Sequence, residues 1–415
     1  MASVLILGGG IIGVTTAYEL AKDGHEVTLI ERNEAAALET SFANAGLIAP
    51  GHAFAWSSPR APGILLKSLF RDDQALRFKL RPDPRFWAWS WRFLKECNAA
   101  GARRNTLNKH RLCLYSQARL HAVRDETEVD YDGQSGGLLY LYRKAETFEG
   151  GVAHMGILAD DGQEVEVVDR ERVAEIDPAL APVKDKIAGA IYCPTDESGD
   201  ACKFTQGVAE AAAKRGVTFA YDTTIRRIEA EGDRIVKVVT DKGAHSADIY
   251  VLSLGCESPI LARQIGVTLP IYPVKGYTAT MPIDGRNNPP GIGGVDEDNL
   301  VAYARLGDRL RITAIAEFAG YDLTHKPSDF KTMLSAAADL LPEAADYAKP
   351  SFRACLRPMT PEGTPIFGQG RHRNLYFNTG QGHMGWTMAC GSARITADLV
   401  GGRQPEIDLA GMSLR

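Results

Sequence analysis

The stretch Val4-Leu-Ile-Leu-Gly8-Gly-Gly10-Ile-Ile-Gly13 runs a short apolar strand straight into a glycine-rich turn, and a second strand, His25-Glu-Val-Thr-Leu-Ile30, ends on Glu31. Gly8 allows the tight turn from strand to helix, Gly10 lets the backbone approach a pyrophosphate, and Gly13 lets the helix pack closely on the sheet. Apolar spacing predicts a helix from Ile11 to about Lys22, then a turn at Gly24 and a strand over Glu26–Ile30. Free amides and the positive end of that helix would face the phosphates. The Glu31 carboxylate can accept from both ribose hydroxyls of an adenosine and would repel a 2′-phosphate. The glycine spelling alone is weak evidence, but strand, glycines, helix, turn, strand and acid within about thirty residues is specific. The unit reads as a socket for the adenosine diphosphate half of a dinucleotide.

At 415 residues the chain exceeds one simple core, so two domains, built here from interleaved segments, are expected. A net charge of −5 with scattered basic residues gives no reason to expect nucleic acid as a partner. The densest basic group, Arg103, Arg104, Lys109 and Arg111, reads as a solvated helix face. No apolar run is long enough to span a bilayer, and the N-terminal apolar stretch is the first strand rather than a signal peptide. Cytoplasmic residence is the expectation, with peripheral attachment to the inner face of the cell membrane left open. The seven cysteines lack a CxxC pair and the nine histidines lack a ligand cluster, so neither a metal site nor a disulfide framework is expected.

The loop Glu39-Thr-Ser41-Phe-Ala-Asn44-Ala45-Gly46-Leu47 is rich in small and hydrogen-bonding residues, which suits close wrapping of a cofactor. Proline, glycine and serine then crowd residues 50 to 63 and mark a change of region. Residues 86 to 94, Phe-Trp-Ala-Trp-Ser-Trp-Arg-Phe-Leu, are apolar on nearly every face of a helix. Such a segment is expected to be buried, the alternative being a membrane-docking or quinone-facing surface. A long helix over 103 to 126 follows. Strands are then predicted at 137–142, 187–192, 217–221, 224–230 and 235–240, with a helix over 205–215. The run 247–255 has the look of an interior parallel strand ending at a crevice. Alternation over 271–281 and 301–316 predicts an antiparallel sheet, with a helix over 328–341 lying on it.

Near the end, Asn374-Leu-Tyr-Phe-Asn-Thr379 leads into Gly380-Gln-Gly382-His383-Met384-Gly385 and a helix expected over 386–400. The about thirty residues that remain hold no second strand ending in an acid, so another nucleotide unit does not fit. One reading is a helix N-terminus aimed at a second anionic part of the cofactor. For a flavin this is the N1/C2-carbonyl edge, which gains negative charge on reduction. The other is an ordinary strand-to-helix connection.

With Thr40-Ser-Phe-Ala-Asn-Ala-Gly46, Leu356-Arg-Pro-Met-Thr-Pro-Glu-Gly363-Thr-Pro-Ile-Phe-Gly368 and Asn378-Thr-Gly-Gln-Gly-His-Met-Gly-Trp-Thr-Met-Ala-Cys-Gly391, these units resemble the D-amino-acid oxidase superfamily of flavoproteins over essentially the whole chain. Within it they look most like the bacterial D-amino-acid dehydrogenases. The resemblance implies an α/β fold in which a Rossmann-like FAD-binding domain is interleaved with an α+β substrate domain on a mainly antiparallel sheet. The first would span residues 1–60, 145–262 and 355–415, the second 61–144 and 263–354. It further implies non-covalent FAD, and oxidation of a D-amino acid by hydride transfer from Cα to flavin N5. The imine then hydrolyses to a 2-oxo acid and ammonia, and a quinone or other acceptor takes the electrons.

Carried onto this chain, the resemblance puts Arg357 on the substrate carboxylate, which a guanidinium fork matches bidentately. His383 and Tyr277 join it as candidate catalytic residues. The cofactor would touch Gly8, Gly10, Ile11, Ile12, Gly13, Glu31, Arg32, Ser41, Asn44, Ala45, Gly46, Leu47, Ile225, Gly255, Gly380, Gly382, His383, Met384 and Gly385. Tyr303 and Tyr321 are weaker candidates to roof the site, and Lys275 to sit near the ring. Relatives tend to carry histidine at the place of Gln381 and a small residue at that of His383, which leaves the substrate open. Cys355 stands where sarcosine oxidases tether flavin covalently, and is expected here as a small buried residue. Three other readings stay open: an enzyme of secondary or small amines such as D-proline, hydroxyproline, sarcosine or glycine; a nicotinamide-dependent dehydrogenase; and a flavin-holding subunit of a hetero-oligomer.

Overall fold

The computed structural model describes residues 1–68, 76–78 and 82–414. Its first half is built on a six-stranded sheet in the order Ile366–Gln369, Leu375–Thr379, Ile249–Leu252, Ser3–Leu7, Glu26–Ile30, Thr218–Ala220. All neighbours run parallel except at the Ile366–Gln369 edge. Ser3–Leu7 lies in the middle with both faces covered, which explains its unbroken apolar sequence. Val4 and Ile6 pack with Tyr18, Phe204 and Trp386, whereas Leu5 and Leu7 pack with Ile228 and Leu261 on the other side. Truncating an aromatic buried as fully as Phe204 typically costs about 3–5 kcal/mol. The two ends of the chain are clamped together: Arg394, on the helix Ala389–Val400, donates to Glu19 at 2.6 Å on the helix Ile11–Lys22.

The second half is a nine-stranded sheet in the order Ser351–Met359, Tyr272–Pro282, Arg309–Phe318, Val301–Leu306, Gly293–Asp296, Leu138–Tyr142, Gly189–Cys193, Glu166–Val168, with Leu76–Phe78 alongside Arg309–Phe318. Its junctions are antiparallel apart from those of Gly293–Asp296 with Leu138–Tyr142 and of Arg309–Phe318 with Leu76–Phe78. The helix Lys331–Leu340 packs on this sheet through Met333, Ala337 and Leu340, as the sequence predicts. The overall class is therefore the one expected, a largely parallel nucleotide-type sheet beside a mainly antiparallel one.

Four expectations need correction. The boundaries shift, because Glu166–Val168, Gly189–Cys193 and all of Ser351–Met359 join the large sheet rather than the nucleotide half. Conversely, the long helix, Ala99–Thr127, packs against Ala389–Val400 through residues such as Ser116. Lys109 is not solvated but fully buried on that helix, its ammonium donating to the Phe54 carbonyl at 2.8 Å. The aromatic helix, Pro84–Glu96, buries only one face. Trp89 and Phe93 pack against Tyr272, Phe318 and Met359, while Trp87, Trp91 and Leu94 point outward.

Candidate active site

A cavity of about 1080 Å³ runs between the two sheets, from the N-terminal glycine turn to the strand that carries Arg357. At one end Gly8 has φ +109°, and a Cβ there would stand 2.8 Å from the Ser253 carbonyl oxygen. Gly10 opens to the cavity, meeting only Ser41 Oγ at 3.5 Å from its imagined Cβ. Glu31 holds the turn as well as facing the groove: Gly9 N–H donates to Oε2 at 2.7 Å, and Asn33 N–H to Oε1 at 2.9 Å. The loop after Glu39 is riveted to the large sheet. Arg311, buried and without a carboxylate partner among the described residues, donates to the carbonyls of Phe42 and Asn44 at 2.8 and 2.9 Å. Thr40 donates to the Leu356 carbonyl at 3.0 Å, one residue from Arg357.

At the other end Arg357 lies over the neighbouring strand. Val274 pairs with Arg357 and Gly276 with Cys355, and a Cβ on Gly276 would come within 2.6 Å of Arg357 Nη2. The guanidinium donates from Nη1 to the Ile315 carbonyl at 2.9 Å and forms no salt bridge with any carboxylate among the described residues. Burial lowers its pKa below the ordinary value. Ile315 itself has φ +64°, a strained conformation for a β-branched residue, at the irregularity where Lys275 and Tyr277 slip against Glu317 and Ala314. That kink turns its carbonyl toward the arginine. The Gly276→Ala change should push the guanidinium aside and lower kcat/KM by about ten- to a hundredfold at unchanged flavin content, measured by steady-state kinetics.

The terminal glycine turn closes the cavity from the nucleotide side. Gly380 and Gly382 have φ +83° and +61°, a single 3₁₀ turn covers Gly382–Met384, and the regular helix starts only at Ala389. The expected helix N-terminus at residue 386 is thus corrected to one short turn at the cavity wall, because Trp386 is drawn into the core against Phe204 and Tyr131. His383 stacks on Trp56 with centroids 4.9 Å apart, and its Nε2 is buried without a partner. Burial, then the nearby Lys109, His52 and Arg357, hold its pKa well below the ordinary value, so the ring is neutral.

His52 also lines the cavity. Burial pulls its pKa down, but Glu297 at 3.0 Å more than offsets this and the net shift is upward. The turn carrying it is held by Asp196, which accepts from Gly51 N–H at 3.1 Å and from the Tyr140 hydroxyl at 2.5 Å. Burial raises the Asp196 pKa to about 7. Between roughly pH 4 and 7 the folded carboxyl keeps a proton that the unfolded one has lost, so its contribution to stability fades as pH rises through that window. Asp196→Asn should flatten this slope, a difference on the order of 4 kcal/mol between the two ends in urea titrations.

Three comparisons bear on this geometry. A family model described as DAO, FAD dependent oxidoreductase, matches residues 3–399. The chain belongs to the DAO family of FAD-dependent oxidoreductases. A D-amino acid dehydrogenase 2 of Mesorhizobium japonicum is 48% identical over 410 residues, covering 99% of both chains. A D-amino acid dehydrogenase of Agrobacterium fabrum is 44% identical over 98% of this chain and 97% of its own. Among solved structures, glycine oxidase from Geobacillus kaustophilus superposes with a TM-score of 0.76 at 23% identity, covering 100% of this chain and 98% of its own, a likeness of fold.

The walls of this DAO-family cavity suit FAD on their own chemistry. Besides the glycine cradle, they carry three buried polar atoms without a protein partner: Ser253 Oγ, Trp386 Nε1 and His383 Nε2. Gly8, Gly10, Ile11, Ile12, Glu31, Arg32, Ser41, Asn44, Ala45, Leu47, Ile225, Gly255, Gly382, His383, Met384 and Gly385 line the cavity, as does Arg357. Gly13, Gly46 and Gly380 do not. Their roles are steric: a Cβ at Gly13 would lie 1.9 Å from the Gly8 carbonyl oxygen, one at Gly46 3.1 Å from Leu306, and one at Gly380 2.8 Å from Thr360.

Tyr277 is corrected out of the site. It lies in the core on the other side of the large sheet, its hydroxyl bonded to Glu317 and its ring against Phe330. Lys275 is buried with it, bonded to the Thr324 carbonyl. Tyr303 is likewise a core residue, and Tyr321 alone of the three tyrosines reaches the cavity, donating to the Cys256 carbonyl at 2.9 Å. Cys355 is buried at the cavity wall, where burial raises its thiol pKa. His52, Trp56 and Arg311 escaped the sequence reading. Only the glycine and proline crowding around 50 to 63 hinted at the first two, and nothing local marks the third.

Proposed function

We propose that this chain is a D-amino acid dehydrogenase, converting D-amino acids to 2-oxo acids and ammonia with FAD held non-covalently. The observation that carries the reading is Arg357: a cation without a salt bridge among the described residues, laid over Gly276 at the wall that faces the Gly382–Met384 turn. A substrate carboxylate supplies the missing charge, and the guanidinium fork fixes its orientation as well as its position. Bound FAD would supply the two-electron acceptor for the hydride that leaves Cα.

The substrate enters as the free amine, whose nitrogen lone pair forms the C=N bond as Cα–H leaves. Water then adds to the imine carbon and ammonia departs, leaving the 2-oxo acid. Gly382, His383 and Met384 line the cavity and would hold the ring, and the neutral His383 adds no charge to compete with Arg357 for the carboxylate. Ile315, Ala316, Trp56 and Tyr321 enclose the rest and exclude water. The two electrons pass on to a quinone, which takes up two protons to become the quinol, or to another acceptor of similar potential. Among the described residues no helix is long and apolar enough to cross a membrane. Peripheral attachment at the membrane that holds the quinone is part of this proposal.

Anaerobic mixing of the purified yellow protein with a panel of D-, L- and imino acids tests the assignment. Bleaching by D-amino acids and not by their L-enantiomers is the expected result. Bleaching only by sarcosine, glycine or proline would move the substrate class to secondary or small amines, and no bleaching without an added chain would make it a flavin-holding subunit.

A further inference from the structure

The helix Pro84–Glu96 leaves a face of large apolar side chains in water. Trp87, Trp91 and Leu94, spaced four and three residues apart, are 56%, 62% and 44% exposed. The helix Ala61–Ser68 packs through Ala61 and Leu65 on the same cluster that receives Trp89 and Phe93, and leaves Ile64 and Leu66 exposed at 51% and 61%. Isolated exposed leucines are ordinary, but tryptophans grouped on one helix face are not.

Charge identifies the occupant. On and beside the two helices the described charged residues are Arg60, Arg85, Arg92 and Lys95 against Asp83 and Glu96, a basic balance within a chain whose net charge is −5. On the exposed helix Arg92 and Lys95 lie beside Trp91, Lys95 Nζ standing 5.4 Å from that ring. Aromatic residues flanked by arginine and lysine on a short amphipathic helix match the boundary of an anionic bilayer, where indoles sit among headgroups and cations meet lipid phosphates. A protein partner selected by this chemistry would need an acidic, apolar surface, and a second copy of this chain offers the same basic face.

The helix is also fixed relative to the site. Trp89 Nε1 donates to the Met359 carbonyl at 2.8 Å, two residues from Arg357, and the Arg85 guanidinium lies 5.7 Å from the ring of Tyr321 on the cavity wall. Two other lining residues, Ile260 and Leu323, are partly exposed at 41% each and mark an edge of the cavity. We infer that the outer faces of Ala61–Ser68 and Pro84–Glu96 dock on the surface of a bilayer containing anionic phospholipid, bringing the cavity close to the lipid. The consequence for turnover rests on the quinone reading above; the docking itself does not.

The test is sedimentation of the FAD-loaded enzyme with phosphatidylcholine vesicles, with and without phosphatidylglycerol, alongside tryptophan emission. Binding to the anionic vesicles alone, weakening with salt and accompanied by a blue shift, is expected. R92Q/K95Q should weaken partitioning by about twenty-fivefold, at about fivefold per charge. W87S/W91S should weaken it by at least about tenfold and abolish most of the shift. Both variants should keep wild-type turnover with a soluble dye, which shows that they fold. Equal binding to both vesicle types, or W87S/W91S binding like wild type, overturns the proposal. So does a solution dimer that W87S/W91S dissociates, since the face would then be covered by a second copy. Failure of D-amino acids to bleach the protein would remove the functional reading and leave the vesicle result standing.

Discussion

Arg357→Ala should lower kcat/KM for a good D-amino acid by about a thousandfold while the protein stays yellow, since losing one side of a desolvated, charged hydrogen-bonded pair costs about 2–5 kcal/mol. The loss should appear in KM and in kcat together, because the guanidinium both binds the carboxylate and sets the angle of the Cα–H bond. Arg357→Lys separates the two roles. A lysine restores a positive charge without the fork, so KM should recover further than kcat. Among the described residues the side chain's hydrogen bond is to the Ile315 carbonyl, so flavin content and Tm should move little in either variant. An alanine variant retaining more than about a tenth of wild-type kcat/KM would remove Arg357 from its role, since that is under 1.4 kcal/mol.

The second large effect is on the cofactor. Gly10→Val should give a folded but colourless protein. Gly10 has φ −73° and ψ 177°, a conformation open to any residue, and the direction of its missing Cβ is clear of protein apart from Ser41 Oγ. The added methyls fill the space where the backbone would approach the pyrophosphate, and FAD affinity should fall by more than about a hundredfold, close to 3 kcal/mol. Titration of apo-protein with FAD measures this directly. The rise in Tm that FAD gives the wild type should also vanish. Gly13→Val makes the contrast: its Cβ would collide with the Gly8 carbonyl oxygen at 1.9 Å, so that chain should fail to fold rather than fold empty.

What the sequence revealed follows from what is local. The first thirty residues could be read because each glycine answers a constraint set by its near neighbours, and the structure places Ile11–Lys22 and Glu26–Ile30 where the pattern puts them. Interior strands such as Ile249–Leu252 announced themselves by unbroken apolar sequence. Tyr277 was misplaced because a slipped register decides which face a strand residue takes, and the irregularity between Lys275 and Tyr277 depends on Ile315, far along the chain. Lys109 looked solvated because charge is the usual sign of solvation; its burial rests on a carbonyl fifty-five residues away. The outward face of Pro84–Glu96 entered the sequence reading only as the alternative to burial, for the opposite reason. Tryptophan in sequence reads as core, and nothing local distinguishes an indole meant for the interior from one left at the surface. The domain boundaries moved for a topological reason: Gly189–Cys193 joins the large sheet by pairing with Leu138–Tyr142, a partner no local pattern names.

The kink at Ile315 has a consequence for how this pocket could be reshaped. A peptide oxygen steers the guanidinium without cancelling its charge, as a carboxylate in the same place would, so the arginine's attraction for an incoming anion is left whole. Orientation is thereby entrusted to the main chain. The side chains at 314 to 316 can accordingly be redesigned for bulkier or more polar substrates without disarming the anchor, provided the bend itself survives.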